Sequence, residues 1–201
     1  MPIVNYTARE ITCKIVYCGP GGSGKTSNLL HVNNELPEGR KGKMMALATE
    51  ADRTLFFDFL PLDLGTIAGF STRLQLYSVP GQLFYEATRR LVLQGVDGVV
   101  FVADSQTRQL EDNIESLQDL HANLAVHNVD ARRLPIVMQY NKRGLPAGEI
   151  MPVDDLDEIL NFRGAPSFPA DALAGTGVFE SLRAISQMVF QRLDTSNGAP
   201  P

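Results

Sequence analysis

Residues 19–26 read Gly-Pro-Gly-Gly-Ser-Gly-Lys-Thr and match the pattern G-x-x-x-x-G-K-[ST]. Residues 11–18 (ITCKIVYC) before them are rich in β-forming side chains and predict a strand, and residues 25–35 after them can form a helix. Glycines between a strand and a helix let the backbone wrap around phosphates, and the N–H groups that open the helix face the anion. The stretch therefore predicts a phosphate-binding loop, in preference to a Gly-rich turn that matches by chance.

The motif assigns a contact to each part of this loop. Lys25 is expected to reach the β- and γ-phosphates of a nucleoside triphosphate, and the Thr26 hydroxyl is expected to bind Mg²⁺. The predicted nucleotide-binding residues of the loop are Gly19, Gly21, Gly22, Ser23, Gly24, Lys25, Thr26 and Ser27.

Strands and helices alternate along the rest of the chain. Strand patterns cover residues 44–49, 73–79, 98–104 and 135–141, and apolar side chains recur at helical spacing over residues 106–127 and 178–193. This order predicts an α/β fold, with a mostly parallel central sheet, helices on both faces and ligands at the carboxyl ends of the strands. We expect one domain over residues 1–194 and a disordered tail over residues 195–201.

Composition narrows the class of protein. The net charge of −5 and the pI near 5.2 argue against nucleic acid or an anionic membrane surface as a partner. The sequence shows no signal peptide, membrane-spanning run or lipidation motif, so we expect a cytoplasmic protein without a direct membrane anchor. Cys13 and Cys18 are expected on opposite faces of the first strand, unpaired, as core or half-buried residues.

Gly81 and Gln82 follow the strand predicted over residues 73–79. The Gly81 N–H can contact a γ-phosphate, and the Gln82 amide can orient the attacking water. Alone, the pair is also explained by an ordinary strand-to-helix turn. Beside a phosphate-binding loop, the catalytic interpretation is favoured.

The segment before that strand offers the other parts of a phosphoryl-transfer site. Thr54 can place its hydroxyl on Mg²⁺, and Arg53 can neutralise charge in the transition state, although most arginines lie on the surface. Ser78 stands where Ras-like proteins carry the aspartate of D-x-x-G. Asp58 is the nearest carboxylate that could complete the Mg²⁺ shell in its place, and a local turn cap is the alternative role for it.

The base site departs from the usual guanine motif. Asn141-Lys142-Arg143-Gly144 resembles N-K-x-D but lacks the aspartate that accepts hydrogen bonds from guanine. Such a loss weakens guanine discrimination by about ten- to a hundredfold. An ordinary polar strand end also explains Asn141 and Lys142.

A second predicted base contact follows a short last strand. A backbone N–H of Ala172 or Leu173 can meet a purine carbonyl there. Asp171 either compensates for Gly144 or caps a turn, and the turn is the commoner role of an aspartate.

Together these stretches resemble the bacterial small Ras-like GTPases of the MglA type, over residues 11–193. The resemblance is carried by GPGGSGKT, EADRTLFFDFLP, SVPGQ, GVDGVVFVADS and QYNKR. It implies a P-loop NTPase with a Ras-like G domain that binds GTP or GDP with Mg²⁺ and controls cell polarity or gliding motility. By the resemblance, Arg53 is an arginine finger in cis, Gln82 positions water and Thr54 is the switch threonine.

The resemblance also implies partners. These are a roadblock-fold GTPase-activating protein (MglB type), polarity or motility effectors, and proteins that recruit the GTPase to cell poles. Because position 144 is glycine, the alternative of a nucleotide-binding polarity scaffold with little hydrolysis or relaxed base specificity stays open.

Overall fold

The computed structural model describes residues 2–47, 57–81 and 86–196. Within these ranges, eight strands form one sheet: β1 (Ile3–Asn5), β2 (Glu10–Cys18), β3 (Met45–Leu47), β4 (Phe57–Ile67), β5 (Phe70–Ser78), β6 (Gly98–Asp104), β7 (Ile136–Asn141) and β8 (Ser167–Pro169). The helices are α1 (Lys25–Glu35), α2 (Glu86–Leu93), α3 (Leu110–Val126), α4 (Val153–Leu160) and α5 (Val178–Ser196). Short 3₁₀ turns lie at Glu38–Arg40 and Thr107–Gln109.

The sheet order is β3-β4-β5-β2-β6-β7-β8, with β1 added beside β2. Strands β5, β2, β6, β7 and β8 are parallel to one another, whereas β4 pairs antiparallel with β5 and β3, and β1 with β2. The predicted α/β fold with a mostly parallel sheet is confirmed. The carboxyl ends of β2, β5, β6 and β7 meet at one edge, where such sheets bind ligands.

Helices cover both faces of the sheet, as predicted. One apolar core packs β-strand side chains against α2, α3 and α4, and the other packs them against α1 and α5. Cys13 belongs to the second core and Cys18 to the first, so the two buried, unpaired thiols do point to opposite faces. Each Leu or Ile buried in these cores stabilises the fold by about 1.5–3 kcal/mol.

Strand β4 was not predicted. Its sequence places charges, aromatics and Pro61 side by side, which hides the alternation of the buried residues Leu60 and Leu62. These two leucines pair in register with Leu76 and Leu74 of β5, so the strand is held by its apolar inner face. No helix separates β4 from β5, which is why the alternation of strands and helices could not reveal it.

The described part of the chain ends in the long helix α5, which runs to Ser196. Residues 197–201 of the predicted tail lie outside the described residues. Across the described ranges, no helix has the combination of length and apolar character that crossing a bilayer requires.

Candidate nucleotide-binding site

The predicted phosphate-binding loop connects β2 to α1. The helix begins at Lys25, so the loop ends at the point where N–H groups of the first helical turn are unpaired. Gly24 has φ 101°, and a Cβ atom there would lie 2.1 Å from Asn141 Nδ2. Glycine at position 24 is therefore required both by its left-handed backbone and by the close approach of β7. Gly21 and Gly22 lie exposed at the loop surface, where a phosphate could reach their N–H groups.

The ammonium group of Lys25 lies inside the loop. It donates hydrogen bonds to the carbonyl oxygens of Gly19 at 2.9 Å and Pro20 at 2.6 Å. Burial lowers the pKa of this amine to about 8. Ser23 Oγ, at 3.5 Å, is a further neutral partner. A buried cation whose hydrogen-bond partners are neutral is suited to pair with an anion such as phosphate.

An aspartate from β4 reaches the hydroxyl that begins helix α1. Asp58 Oδ2 accepts a hydrogen bond from Thr26 Oγ1 at 2.6 Å and another from Ser78 Oγ at 2.6 Å. Asp58 and Ser78 are directly opposite each other in the β4–β5 pair, which fixes this arrangement. Three of the four residues that sequence reasoning associated with the metal shell are thus brought together, and the fourth, Thr54, lies outside the described residues.

These oxygens fit Mg²⁺. The ion prefers oxygen ligands and is usually held by one or two carboxylates together with substrate phosphates. Among the described residues, no group of three His, Cys, Asp or Glu side chains could hold a metal by itself. A hydroxyl, one carboxylate and the oxygens of a bound phosphate chain would supply the ligands that Mg²⁺ needs.

The segment after β5 packs on the phosphate-binding loop. A Cβ atom at Gly81 would lie 2.3 Å from the Gly21 nitrogen and 2.6 Å from the Pro20 oxygen. The two backbones therefore touch, and only glycine fits between them. This contact brings the position before Gln82 to the loop, as the predicted role of Gly81 requires.

Asn141 joins the phosphate-binding loop to the segment that follows β8. Its Nδ2 donates to the Ser23 carbonyl at 2.7 Å, and its Oδ1 accepts from the Ala172 N–H at 2.8 Å. Asn141 is buried at the end of β7. It therefore holds together the two loops from which a base site would be built.

Lys142 lies beside it in a left-handed conformation, with φ 69°. Its ammonium pairs with the buried carboxylate of Asp104 at 2.6 Å, at the end of the neighbouring strand β6. Asp104 also accepts hydrogen bonds from the Gln106 backbone and side chain. The ion pair holds the Lys142 stem in one position, where it can lie along a base.

Sequence reasoning missed the polar network beneath the loop. Asn28 and Gln139 exchange two amide hydrogen bonds, at 2.8 and 2.9 Å, and Gln139 also donates to Ser181 Oγ at 2.8 Å. Asn28 in turn donates to the Gly24 carbonyl at 2.9 Å. The one available signal was a glutamine in the middle of the apolar run of β7.

The two predicted backbone contacts to the base fall in the segment after β8. Ala172 is buried, and its N–H donates a hydrogen bond to Asn141. Leu173 is 87% exposed, and its N–H donates to Asp171 Oδ1 at 3.1 Å. Their roles toward a base stay predictions. The turn predicted as the alternative role of Asp171 is present.

Three of the predicted site residues, Arg53, Thr54 and Gln82, lie outside the described residues. Their roles stay predictions. The described positions on either side, Asp58 and Gly81, both lie against the phosphate-binding loop.

The parallel sheet, the phosphate-binding loop between β2 and α1, the glycine segment after β5 and the Asn-Lys pair after β7 define a Ras-like P-loop GTPase. The chain is 53% identical over 193 residues to the mutual gliding-motility protein MglA of Myxococcus xanthus (strain DK1622), a match that covers 96% of this chain and 98% of that protein. No protein-family model matches the chain. The chain belongs to the MglA family of bacterial Ras-like small GTPases and is a GTP-hydrolysing switch.

Proposed function

We propose that this protein is an Mg²⁺-dependent GTP/GDP switch of gliding motility or cell polarity, slow alone and accelerated by a partner. The observation that carries the proposal is the meeting of Lys25, Thr26, Asp58 and Gly81 at the carboxyl edge of the sheet. The role in motility is inferred from the name of the Myxococcus relative. The role in cell polarity is inferred from the family resemblance.

In this proposal the phosphates are held by the loop between β2 and α1. Lys25 would exchange its carbonyl partners for the β- and γ-phosphates. The negative phosphates would then stabilise the charged ammonium, which burial destabilises. Thr26 and Thr54 would bind Mg²⁺, with Asp58 as the nearby carboxylate. When bound, the metal supplies positive charge that offsets the charge of the phosphate oxygens.

Arg53 and Gln82 are the proposed catalytic residues. Gln82 follows directly on Gly81, whose backbone touches the phosphate-binding loop. In this proposal its amide would orient a water beside the γ-phosphate. Arg53 lies five residues before Asp58 in the sequence, at the start of the segment that leads into β4. From there its guanidinium would neutralise the transition state in cis.

The proposed partners follow from the same family. A roadblock-fold activating protein of the MglB type would reposition Arg53 and Gln82, which explains slow turnover without it. Effectors of motility or polarity would bind the triphosphate form. We place the protein in the cytoplasm, recruited to the cell poles by such partners.

The test is single-turnover GTP hydrolysis with and without the roadblock partner. Gln82→Leu should abolish hydrolysis in both conditions, and Arg53→Ala should remove most of the stimulation, since an arginine finger contributes about 10³–10⁵ in rate. Arg132→Ala is the matched control, because Arg132 is exposed and precedes β7, whereas the site lies at the carboxyl end of that strand. Unchanged hydrolysis in Gln82→Leu would contradict the catalytic assignment.

A further inference from the structure

The carboxylate of Asp171 lies in the space that a side chain at position 144 would occupy. A Cβ atom at Gly144 would be 2.0 Å from Asp171 Oδ2 and 3.2 Å from Asp171 Cγ. The position where N-K-x-D carries an aspartate thus has no side chain of its own, and a carboxylate from another loop lies beside it.

The loop that carries Asp171 is tied to the Asn-Lys segment by backbone hydrogen bonds. The Arg143 N–H donates to the Ala170 carbonyl at 2.9 Å, and the Asp171 N–H donates to the Thr176 carbonyl at 2.9 Å. With the bond from Ala172 to Asn141, these contacts fix the backbone on both sides of Asp171. The carboxylate is therefore presented from a rigid position.

The two oxygens of Asp171 have different surroundings. Oδ1 accepts from the N–H groups of Leu173 at 3.1 Å and Ala174 at 3.4 Å and so closes the local turn. No described residue donates a hydrogen bond to Oδ2, the atom that faces Gly144. Because an ionised carboxylate oxygen accepts up to two hydrogen bonds, Oδ2 keeps its capacity for a ligand.

We propose that Asp171 is the guanine-reading carboxylate of this protein, in place of the aspartate that position 144 lacks. The inference rests on the proposed nucleotide site. Guanine presents the N1–H and N2 amino donors on one edge, which an acceptor-only carboxylate binds. Adenine presents a ring-nitrogen acceptor at N1, which the same carboxylate repels. Asp171 thus gives the site its preference for guanine.

The same geometry couples residue 144 to Asp171. Any Cβ atom there would overlap Asp171 Oδ2, and a second carboxylate would also bring two like charges together. Gly144 and Asp171 therefore act as one unit. Restoring an aspartate at 144 is expected to succeed only when the side chain at 171 is shortened.

The test is a competition titration of the full chain with Mg²⁺, in which GDP, xanthosine diphosphate, inosine diphosphate and ADP displace a fluorescent guanine nucleotide. Asp171→Ala should weaken GDP binding by about ten- to a hundredfold without weakening ADP binding, because the carboxylate that repels adenine is also removed. Inosine diphosphate, which lacks the N2 amino group, should lose less on the same substitution. Asp171→Ala combined with Gly144→Asp should restore GDP preference.

Asp171→Asn separates base reading from folding. The turn N–H groups require an acceptor, so the amide oxygen should keep the place of Oδ1 and the NH₂ group should replace Oδ2. This variant should lose affinity for GDP and gain affinity for xanthosine diphosphate, whose 2-carbonyl accepts the new donor. Asp130→Asn is the matched control, because Asp130 Oδ1 accepts from the Arg132 N–H at 2.9 Å in a similar turn. Asp130 precedes β7, whereas the site lies at the carboxyl end of that strand.

The outcomes separate this inference from the proposed function. Guanine preference that survives both Asp171 substitutions would overturn the inference and leave the switch intact. Equal binding of GDP and ADP by the unmodified protein would also overturn the inference alone. Failure of the unmodified protein to bind any of the four nucleotides would overturn the proposed function and, with it, the inference.

Discussion

Asp58 Oδ2 lies 2.6 Å from the Thr26 hydroxyl oxygen, so a carboxylate on β4 is hydrogen-bonded to the first turn of α1. The same oxygen accepts from Ser78 on β5. In this protein the acidic group near Thr26, the proposed Mg²⁺ ligand, therefore comes from β4, the antiparallel strand next to β5. Ser78, at the start of the S-V-P-G segment, orients that group by a hydrogen bond.

Replacing Asp58 should weaken magnesium binding. Asp58→Asn removes the negative charge but keeps the size of the side chain, and loss of a supporting group at a metal site typically costs about 10–100-fold in affinity. The Mg²⁺ dependence of the release of fluorescent GDP measures the change. Asp63→Asn is the control, because Asp63 lies exposed further along the same strand. The same magnesium midpoint in both variants would exclude a role for Asp58 at the metal.

Removing Gln139 should destabilise the protein although it lies below the site surface. Gln139→Leu leaves the buried Asn28 oxygen and Ser181 without their amide donor, which costs about 1–3 kcal/mol in the free energy of unfolding. Urea unfolding measures it. Gln118→Leu on the exposed face of α3 should change stability by no more than about 0.5 kcal/mol.

A double-mutant cycle tests whether the two amides act as a pair. Replacing both Asn28 and Gln139 by leucine removes donor and acceptor together, so the double variant should be less destabilised than the sum of the single ones. Additive losses would show that Gln139 contributes through packing and not through its hydrogen bonds to Asn28.

The sequence allowed the phosphate-binding loop to be located because its chemistry is local. Eight consecutive residues carry the motif, and the strand and helix around them follow from short-range patterns. Lys25 and Thr26 could therefore be assigned from sequence. The common edge of the strands also placed Gly81 and Asn141 near the loop, because parallel strands end together.

For contacts between distant segments, the sequence suggested candidate residues but did not show which residues they contact. Asn28 and Gln139 are 111 residues apart, and a polar residue in an apolar run does not reveal its partner. Asp58 and Asp171 could each have been simple turn caps. Only the packing of β4 on β5, and of the loop after β8 on Gly144, shows which groups their carboxylates face.

The two cysteines should resist modification in the folded protein. Burial raises the pKa of both the Cys13 and Cys18 thiols to about 12, so almost no thiolate is present at about pH 8. We expect iodoacetamide to label both cysteines in denaturant and neither under native conditions. Added GDP should slow any residual labelling, because a ligand of the native state reduces the unfolded fraction. Rapid labelling of either cysteine in the native protein would contradict its burial.

The depressed pKa of Lys25 should make the nucleotide-free protein more stable at mildly alkaline pH. Burial lowers this pKa from 10.5 to about 8. At a pH between these two values, Lys25 is protonated in the unfolded chain but deprotonated in the folded protein. Stability then rises with pH in this window, by at most about 1.4 kcal/mol per pH unit.

The two cysteines set the highest pH at which this measurement is useful. Their folded pKa values lie above the unfolded value of 9.0, so their contribution to stability is lost as the pH rises above that value. The free energy of unfolding should therefore be compared between about pH 7.5 and 9, as the difference between the unmodified protein and Lys25→Met. Lys25→Met keeps an unbranched apolar stem but has no titrating amine, so the difference isolates Lys25.

We expect the unmodified protein to gain stability relative to this variant as pH rises. Bound GDP should remove the gain, because its phosphates favour the charged ammonium. Parallel pH profiles without nucleotide would show that the Lys25 amine keeps its ordinary pKa inside the loop.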